Sequence, residues 1–192
     1  MYGGEMDYQS LFTFILEMAG TIAFAASGAM VGAQRGMDIF GICVLGVVTA
    51  VGGGATRDII LGIVPPGMFQ NPIYTIVATV TSCIVFAIMY WKQELLEGEN
   101  RLVYDKIMLV MDSVGLGVFT VMGVDKGITE GYMGRTFFLV FLGTVTGVGG
   151  GLIRDMMAGV PPYIFVRHIY ACASIVGAIA CVWVYRLWGG VP

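Results

Sequence analysis

Six long apolar runs alternate with short polar segments along the chain. Each run holds about 20 mostly apolar residues, which is the length that an α-helix needs to cross the hydrocarbon core of a bilayer. The pattern therefore predicts six membrane spans and an all-α integral membrane fold. The predicted spans are Leu11–Ala33, Ile39–Val64, Ile73–Trp91, Ile107–Val124, Thr136–Val160 and Ile169–Leu187.

The composition supports a membrane protein and excludes several other classes. Of the 192 residues, 57% are hydrophobic and 12% are charged, and the mean hydropathy is +0.85. Soluble domains hold about 45–50% apolar and about 25% charged residues. A net charge of −3 is too weak to indicate a nucleic-acid partner. The lipid bilayer is the expected environment.

No sequence motif predicts an enzyme, a metal site or a cofactor. His168 is the only histidine, and the four cysteines lie in apolar runs without metal-ligand spacing, so they are interpreted as small hydrophobic residues. Neither a nucleophile with a nearby base nor a phosphate-binding glycine loop is present. We expect a protein that is not an enzyme and that needs no cofactor. The cysteines are Cys43, Cys83, Cys172 and Cys181.

The chain contains one unit twice. TAVGGGATRDIILG, residues 49–62, returns as TGVGGGLIRDMMAG, residues 146–159, and a Pro-Pro follows each copy. We assign residues 11–91 to the first three-span repeat, 92–106 to an inner connecting loop and 107–188 to the second repeat, within a single membrane domain. Because each repeat has an odd number of spans, the second is expected to enter the membrane inverted relative to the first.

Each glycine triplet has two interpretations. Glycine weakens a helix by about 1 kcal/mol relative to alanine, so three in succession favour a helix break that exposes backbone groups to a pore or binding site. Glycine also lets a neighbouring helix approach closely. Because the triplet is repeated and an ionisable pair follows it, a site-forming break is the favoured hypothesis. The triplets are Gly52, Gly53, Gly54 and Gly149, Gly150, Gly151.

Ionisable residues inside the predicted spans are the candidate pore or substrate-binding residues. A charge at the bilayer centre costs at least about 2.5 kcal/mol, so such residues face the protein interior. Adjacent helical residues point about 100° apart, so Arg57 and Arg154 are each expected to pair with a carboxylate of another span. Structural ion pairs are the alternative interpretation. The candidates are Glu17, Arg57, Asp58, Asp112, Arg154 and Asp155.

Three hydroxyl residues lie near the glycines, Ser27, Thr49 and Thr146. Their side chains would either face a permeating ion or donate to the preceding helical turn. The two possibilities are equally favoured.

The basic residues of short loops predict the orientation. An N-terminus outside the cell places five basic residues in inner loops and only Lys126 and Arg135 in outer loops. The expected location is the inner membrane of a prokaryote, with several spans. The inner basic residues are Arg35, Lys92, Arg101, Lys106 and Arg167.

The doubled GGG-x2-RD block, carried by two three-span units, resembles the trimeric intracellular cation (TRIC) channel family, in particular its prokaryotic branch, also called the glycine transporter domain family. The resemblance covers about residues 11–188. It implies a homotrimer with one potassium-permeable pore in each protomer, spans two and five kinked at the triplets, and Arg-Asp pairs near the pore. Family members usually have a seventh span after the second repeat; here we expect that it is either truncated or lacking in this member.

Three functions remain open. A monovalent cation channel is favoured, with permeant cations as its partners. A carrier of glycine or a similar small zwitterion is the alternative, because the positive N-terminus of a half-helix after a break would suit a carboxylate. A scaffold that transports nothing is the third. The candidate site residues are the same under the first two hypotheses.

Overall fold

The structure is a computed structural model that describes residues 8–92, 100–166 and 168–188. The described chain forms eight helices and no strand. Six of them are long and apolar enough to cross a membrane, which confirms the predicted spans and the all-α fold. The helices are α1 Tyr8–Gln34, α2 Ile39–Leu61, α3 Gly67–Gln70, α4 Ile73–Trp91, α5 Asn100–Thr129, α6 Thr136–Met157, α7 Tyr163–Val166 and α8 His168–Trp188.

Several helix bounds differ from the predicted spans, among them those of α2, α5 and α6. α2 ends at Leu61 because Gly62 adopts a left-handed conformation, with φ +74°, and its amide bonds back to the last turn. α6 ends at Met157, and Gly159 again has a positive φ. α5 begins at Asn100, so the last residues assigned to the connecting loop are helical. Residues 93–99 of that loop, and Arg167, lie outside the described residues.

The two repeats fold alike. In the first, α1, α2 and α4 pack together, and in the second α5, α6 and α8 do. A four-residue helix follows each Pro-Pro, α3 in one repeat and α7 in the other, where the sequence indicates only turns. The repeats join where α2 packs against α6 and α1 against α5. The inversion of the second repeat in the membrane stays a prediction.

Small residues bring the helices of each repeat close together. A Cβ atom added at Gly28 would lie within 3.0 Å of the α2 backbone at Leu45, and one added at Gly123 would lie within 3.0 Å of the α6 backbone at Gly143. These are equivalent positions in the two repeats, so the same close packing is built twice.

The glycine triplets lie where the repeats meet. A Cβ atom at Gly53 would fall closer than 3.0 Å to the carbonyl oxygen of Thr146, and one at Gly150 would fall equally close to the carbonyl oxygen of Thr49. This reciprocal contact is what a two-fold relation between the repeats produces. At the crossing of α2 and α6, main chain therefore packs directly on main chain.

The prediction of a helix break at the triplets is wrong. Both α2 and α6 are helical through all three glycines. The close-packing interpretation is the one that the structure shows, since side chains at the crossing would hold the two helices apart. A kink in the helix axis at these positions stays a prediction.

Candidate functional site

A polar cavity of about 330 Å³ lies at the end of α2, beside the first Arg-Asp pair. Helices α1, α2, α4 and α5 and the segment around α3 contribute its walls. Three carboxylates and two cationic side chains line it, an excess of one negative charge. These charged residues are Glu17, Arg57, Asp58, Asp125 and Lys126. We call this cavity the vestibule.

Arg57 pairs with its own neighbour in the sequence. Its Nε lies 2.9 Å from Asp58 Oδ1 and its Nη2 lies 2.8 Å from the same atom. The other Asp58 oxygen accepts a hydrogen bond of 2.8 Å from the amide of Gly67, at the start of α3. The prediction that Arg57 pairs with a carboxylate of another span is wrong, because the long arginine side chain folds back to a carboxylate that α3 holds in place.

Glu17, the carboxylate of α1 that repeat symmetry offers to Arg57, has a different partner. Tyr74 of α4 donates a hydrogen bond of 2.5 Å to Glu17 Oε2. Arg57 remains 14% exposed in the vestibule.

The second Arg-Asp pair is buried. Arg154 donates through Nη1 to Asp112 of α5 and to Ser27 Oγ of α1, the latter at 2.6 Å, and through Nε to Asp155 at 2.8 Å. The side chain of Arg154 is 2% exposed. The prediction that Arg154 pairs with a carboxylate of another span is therefore confirmed by Asp112, although the adjacent Asp155 also binds it.

Two further bonds complete this buried cluster of Ser27, Asp112, Arg154 and Asp155. Ser27 Oγ donates to Asp112 at 3.1 Å, and Asp155 Oδ2 accepts from the amide of Tyr163 at 2.8 Å, as Asp58 does from Gly67 in the first repeat. One guanidinium thus neutralises one of two carboxylates, which leaves an excess of one negative charge. Buried charges of this kind are tolerated only when they are paired and hydrogen-bonded.

Two differences between the repeats distinguish the two ends: Arg154 binds Asp112 and Ser27, whereas the first repeat offers Arg57 their equivalents Glu17 and Met122. Ser27 supplies the hydroxyl that accepts from Arg154, whereas Met122, its equivalent in the second repeat, offers no comparable oxygen to Arg57 and lines the vestibule. The first arginine therefore stays at the cavity surface. The second arginine, Arg154, is buried inside the protein.

Two stacked phenylalanines lie beside the vestibule, one on α1 and one on α5. Phe24 of α1 and Phe119 of α5 stack with ring centroids 5.4 Å apart, and Phe24 is 1% exposed. Phe119 lines the vestibule, and Phe24 lies one turn before Ser27. Sequence reasoning missed this pair, although the repeat contains its signal. Each phenylalanine lies four residues before an equivalent glycine, Gly28 or Gly123.

The remaining candidates contribute to packing. Thr49 and Thr146 are fully buried, and each donates to the carbonyl oxygen four residues earlier at 2.6 Å. Gly54 lines the vestibule, and the glycines at the crossing of α2 and α6 face main chain. Within the described part of the chain, no group of three or more His, Cys, Asp or Glu residues could hold a metal ion.

Fold and site define the class as a multi-pass α-helical membrane protein built from two similar three-span units, with charged groups in its interior. The glycine transporter family profile matches the chain twice, at residues 14–90 and 109–186. The chain belongs to this family, and the predicted TRIC resemblance is confirmed.

Named relatives are membrane proteins. The UPF0126 inner membrane protein YadS of Escherichia coli K12 is 39% identical over 170 residues, which cover 88% of this chain and 77% of the relative. A UPF0126 membrane protein of Deinococcus radiodurans is 38% identical over 88% of this chain and 74% of the relative. The multi-pass membrane location is therefore shown. The outside position of the N-terminus stays a prediction.

Solved structures of TRIC channels share the fold. The TRIC trimeric intracellular cation channel orthologue from Rhodobacter sphaeroides superposes with a TM-score of 0.81, at 30% identity, over 92% of this chain and 86% of that chain. A prokaryotic TRIC channel crystallised in 0.5 M KCl gives a TM-score of 0.83, at 29% identity, over 93% and 86% of the two chains.

Proposed function

We propose that this protein is a membrane channel for monovalent cations, permeable to potassium, with one pore in each protomer of a homotrimer. The observation that carries the proposal is a line of polar groups interrupted once by aromatic rings. It starts at the vestibule, meets the pair of Phe24 and Phe119, and continues at the buried cluster. From Glu17 to Ser27 this line follows α1 for about 15 Å. The similarity of this protein to the solved TRIC cation channels supports the same conclusion.

The charges along this line favour cations. An unpaired arginine in a pore would repel a cation, but Arg57 is bonded to Asp58, and Arg154 is bonded to Asp112 and Asp155. The vestibule and the buried cluster each keep an excess of one negative charge. A cleft lined by one sign of charge raises the local concentration of the opposite ion, so potassium is expected at the vestibule and chloride is disfavoured.

The arrangement corresponds to a closed channel. Apolar constrictions stop ions because water leaves them, and the stacked rings of Phe24 and Phe119 form such a constriction. Beyond it, Arg154 ties α1, α5 and α6 together through Ser27, Asp112 and Asp155. Opening requires the two rings to separate and Arg154 to release at least one partner.

Single-channel recording tests the proposal. Purified protein in a planar bilayer with a potassium chloride gradient is expected to give discrete openings that reverse near the potassium equilibrium potential. The variant Arg154→Ala removes the central cation of the buried cluster and is expected to change the conductance or the open probability. Arg135→Ala, at the start of α6 and outside both charge clusters, is the matched control and should behave like the wild type.

A glycine carrier is the second candidate. The vestibule holds charges of both signs, with Arg57 partly exposed for a carboxylate and Glu17 for an amine. A silent bilayer, together with saturable uptake of labelled glycine into matching proteoliposomes, would replace the channel by the carrier. If neither current nor uptake is observed, both transport functions are refuted and the third hypothesis, a scaffold that transports nothing, remains.

A further inference from the structure

Two cysteines from different helices of the first repeat lie in contact. The sulfur atoms of Cys43 on α2 and Cys83 on α4 are 3.6 Å apart, and both residues are free thiols. A disulfide has an S–S distance of about 2.05 Å, so bond formation requires the sulfurs to approach by about 1.5 Å. Side-chain rotation covers such a distance when the backbones are close.

The backbones of α2 and α4 are close at this point. A Cβ atom added at Gly46 would collide with the side chain of Ser82, lying 3.1 Å from its Cβ. Gly46 is one helical turn after Cys43, and Ser82 is directly before Cys83. The glycine thus allows the close approach that brings the two thiols together.

Reagents can reach the pair from the membrane. Cys83 is exposed and Cys43 is half-buried. Cys43 also lines an apolar surface groove with Phe40 and Val47. It is the fifth residue of α2, about 6 Å along the helix axis from the first. A lipid-soluble reagent therefore has access to both sulfurs close to one membrane surface.

We propose that Cys43 and Cys83 form a reactive dithiol that closes to a disulfide between α2 and α4. The oxidant is a membrane-soluble disulfide. The more exposed Cys83, as the thiolate, attacks one sulfur of this reagent and releases the first thiol. Cys43, as the thiolate, then attacks the Cys83 sulfur of the mixed disulfide and releases the second.

The exchange is balanced in atoms and electrons. One S–S bond of the reagent is broken and one S–S bond in the protein is formed. The two cysteine protons end on the two released thiols. The two electrons that the cysteines lose reduce the reagent. The product joins α2, which carries Arg57 and the first glycine triplet, covalently to α4, which carries Tyr74.

The experiment uses 4,4′-dithiodipyridine on protein in lipid nanodiscs. In a Cys172→Ser/Cys181→Ser variant, we expect each chain to release two pyridinethione molecules, to retain no adduct and to lose the mass of two hydrogen atoms. Dithiothreitol should reverse this mass change. With Cys43→Ser added, one molecule is released and one stable adduct stays on Cys83.

The other two cysteines provide the matched control. Cys172 and Cys181 are nine residues apart on α8 and therefore lie on opposite faces of the helix. A Cys43→Ser/Cys83→Ser variant should form adducts without losing two hydrogens. Peptide mapping of the oxidised wild type, which needs no substitution, should find Cys43 linked to Cys83. Stable adducts on both residues, or no reaction at either while Cys172 reacts, would overturn the proposal.

Discussion

Alanine at Gly150 is expected to destabilise the protein through the crossing of α2 and α6. The new Cβ would lie closer than 3.0 Å to the carbonyl oxygen of Thr49, and a main-chain oxygen cannot rotate away. The helices must separate, and overpacking typically costs about 1–3 kcal/mol. Alanine returns about 1 kcal/mol of helix propensity. A contact with backbone lies at the upper end of the range, so the net loss is about 2 kcal/mol.

Other glycines of the same protein calibrate this value. A Cβ at Gly149 would lie 3.1 Å from the Cα of Gly53, one at Gly151 would lie 3.5 Å from a tyrosine hydroxyl, and one at Gly117 would meet nothing within 4 Å. Among the single alanine variants, Gly117→Ala is therefore expected to be the most stable, followed by Gly151→Ala and Gly149→Ala. Gly150→Ala is expected to be the least stable. Gly117→Ala should be stabilised by about 1 kcal/mol, because only helix propensity changes.

Thermal unfolding in one detergent, followed by the loss of the monodisperse chromatographic peak, measures this order. A change of 1 kcal/mol shifts the unfolding midpoint by about 2–4 °C in a chain of this size, so Gly150→Ala and Gly117→Ala should differ by about 6–12 °C. Equal midpoints for these two variants would refute the argument that the crossing excludes a Cβ atom.

Three further substitutions test the charged groups and the aromatic constriction. Arg154→Gln removes the one cation of the buried cluster, leaves Asp112 and Asp155 without a positive partner and should cost about 3 kcal/mol in unfolding free energy, whereas Arg135→Gln, at the exposed start of α6, should cost less than about 1 kcal/mol; equal losses would contradict the buried ion pairs. Phe119→Ala should raise the open probability of the channel by removing one ring of the constriction, and Phe86→Ala, whose ring packs away from the vestibule, should leave it unchanged. Tyr74→Phe removes one hydrogen bond to a carboxylate and should lower the unfolding free energy by about 1.5–3 kcal/mol, with an unchanged midpoint showing that this bond adds nothing.

Much of the fold follows from the sequence because lipid imposes a simple rule. Apolar runs of about 20 residues must form helices that satisfy their own backbone hydrogen bonds. The start of α5 was not predictable in this way, because polar residues such as Arg101 and Lys106 continue the helix beyond the apolar run. The short helices α3 and α7 were missed for a related reason, since four residues carry no periodic pattern.

The sequence predicted which charged residues belong to the candidate site, but only part of how they pair. The cost of a charge in lipid correctly places Arg154 and Asp112 inside the protein. The partner of Arg57 depends on where α3 places the amide of Gly67, a tertiary detail that helix geometry does not contain. The unequal ends were also hidden, because the two Arg-Asp motifs are alike and the differences lie in α1 and α5, where Ser27 is equivalent to Met122 and Glu17 to Asp112.

The contact between Gly53 and Thr146, and its counterpart between Gly150 and Thr49, also has a mechanical consequence. Two helices whose main chains touch at their crossing can rotate about that contact, which then serves as a pivot. A change in crossing angle leaves the pivot in place and displaces other residues in proportion to their distance from it. Arg57 and Arg154 each lie four residues beyond the touching glycine, a lever arm of about 6 Å. A small rotation at the centre would therefore move both arginines together while the crossing itself stays closed.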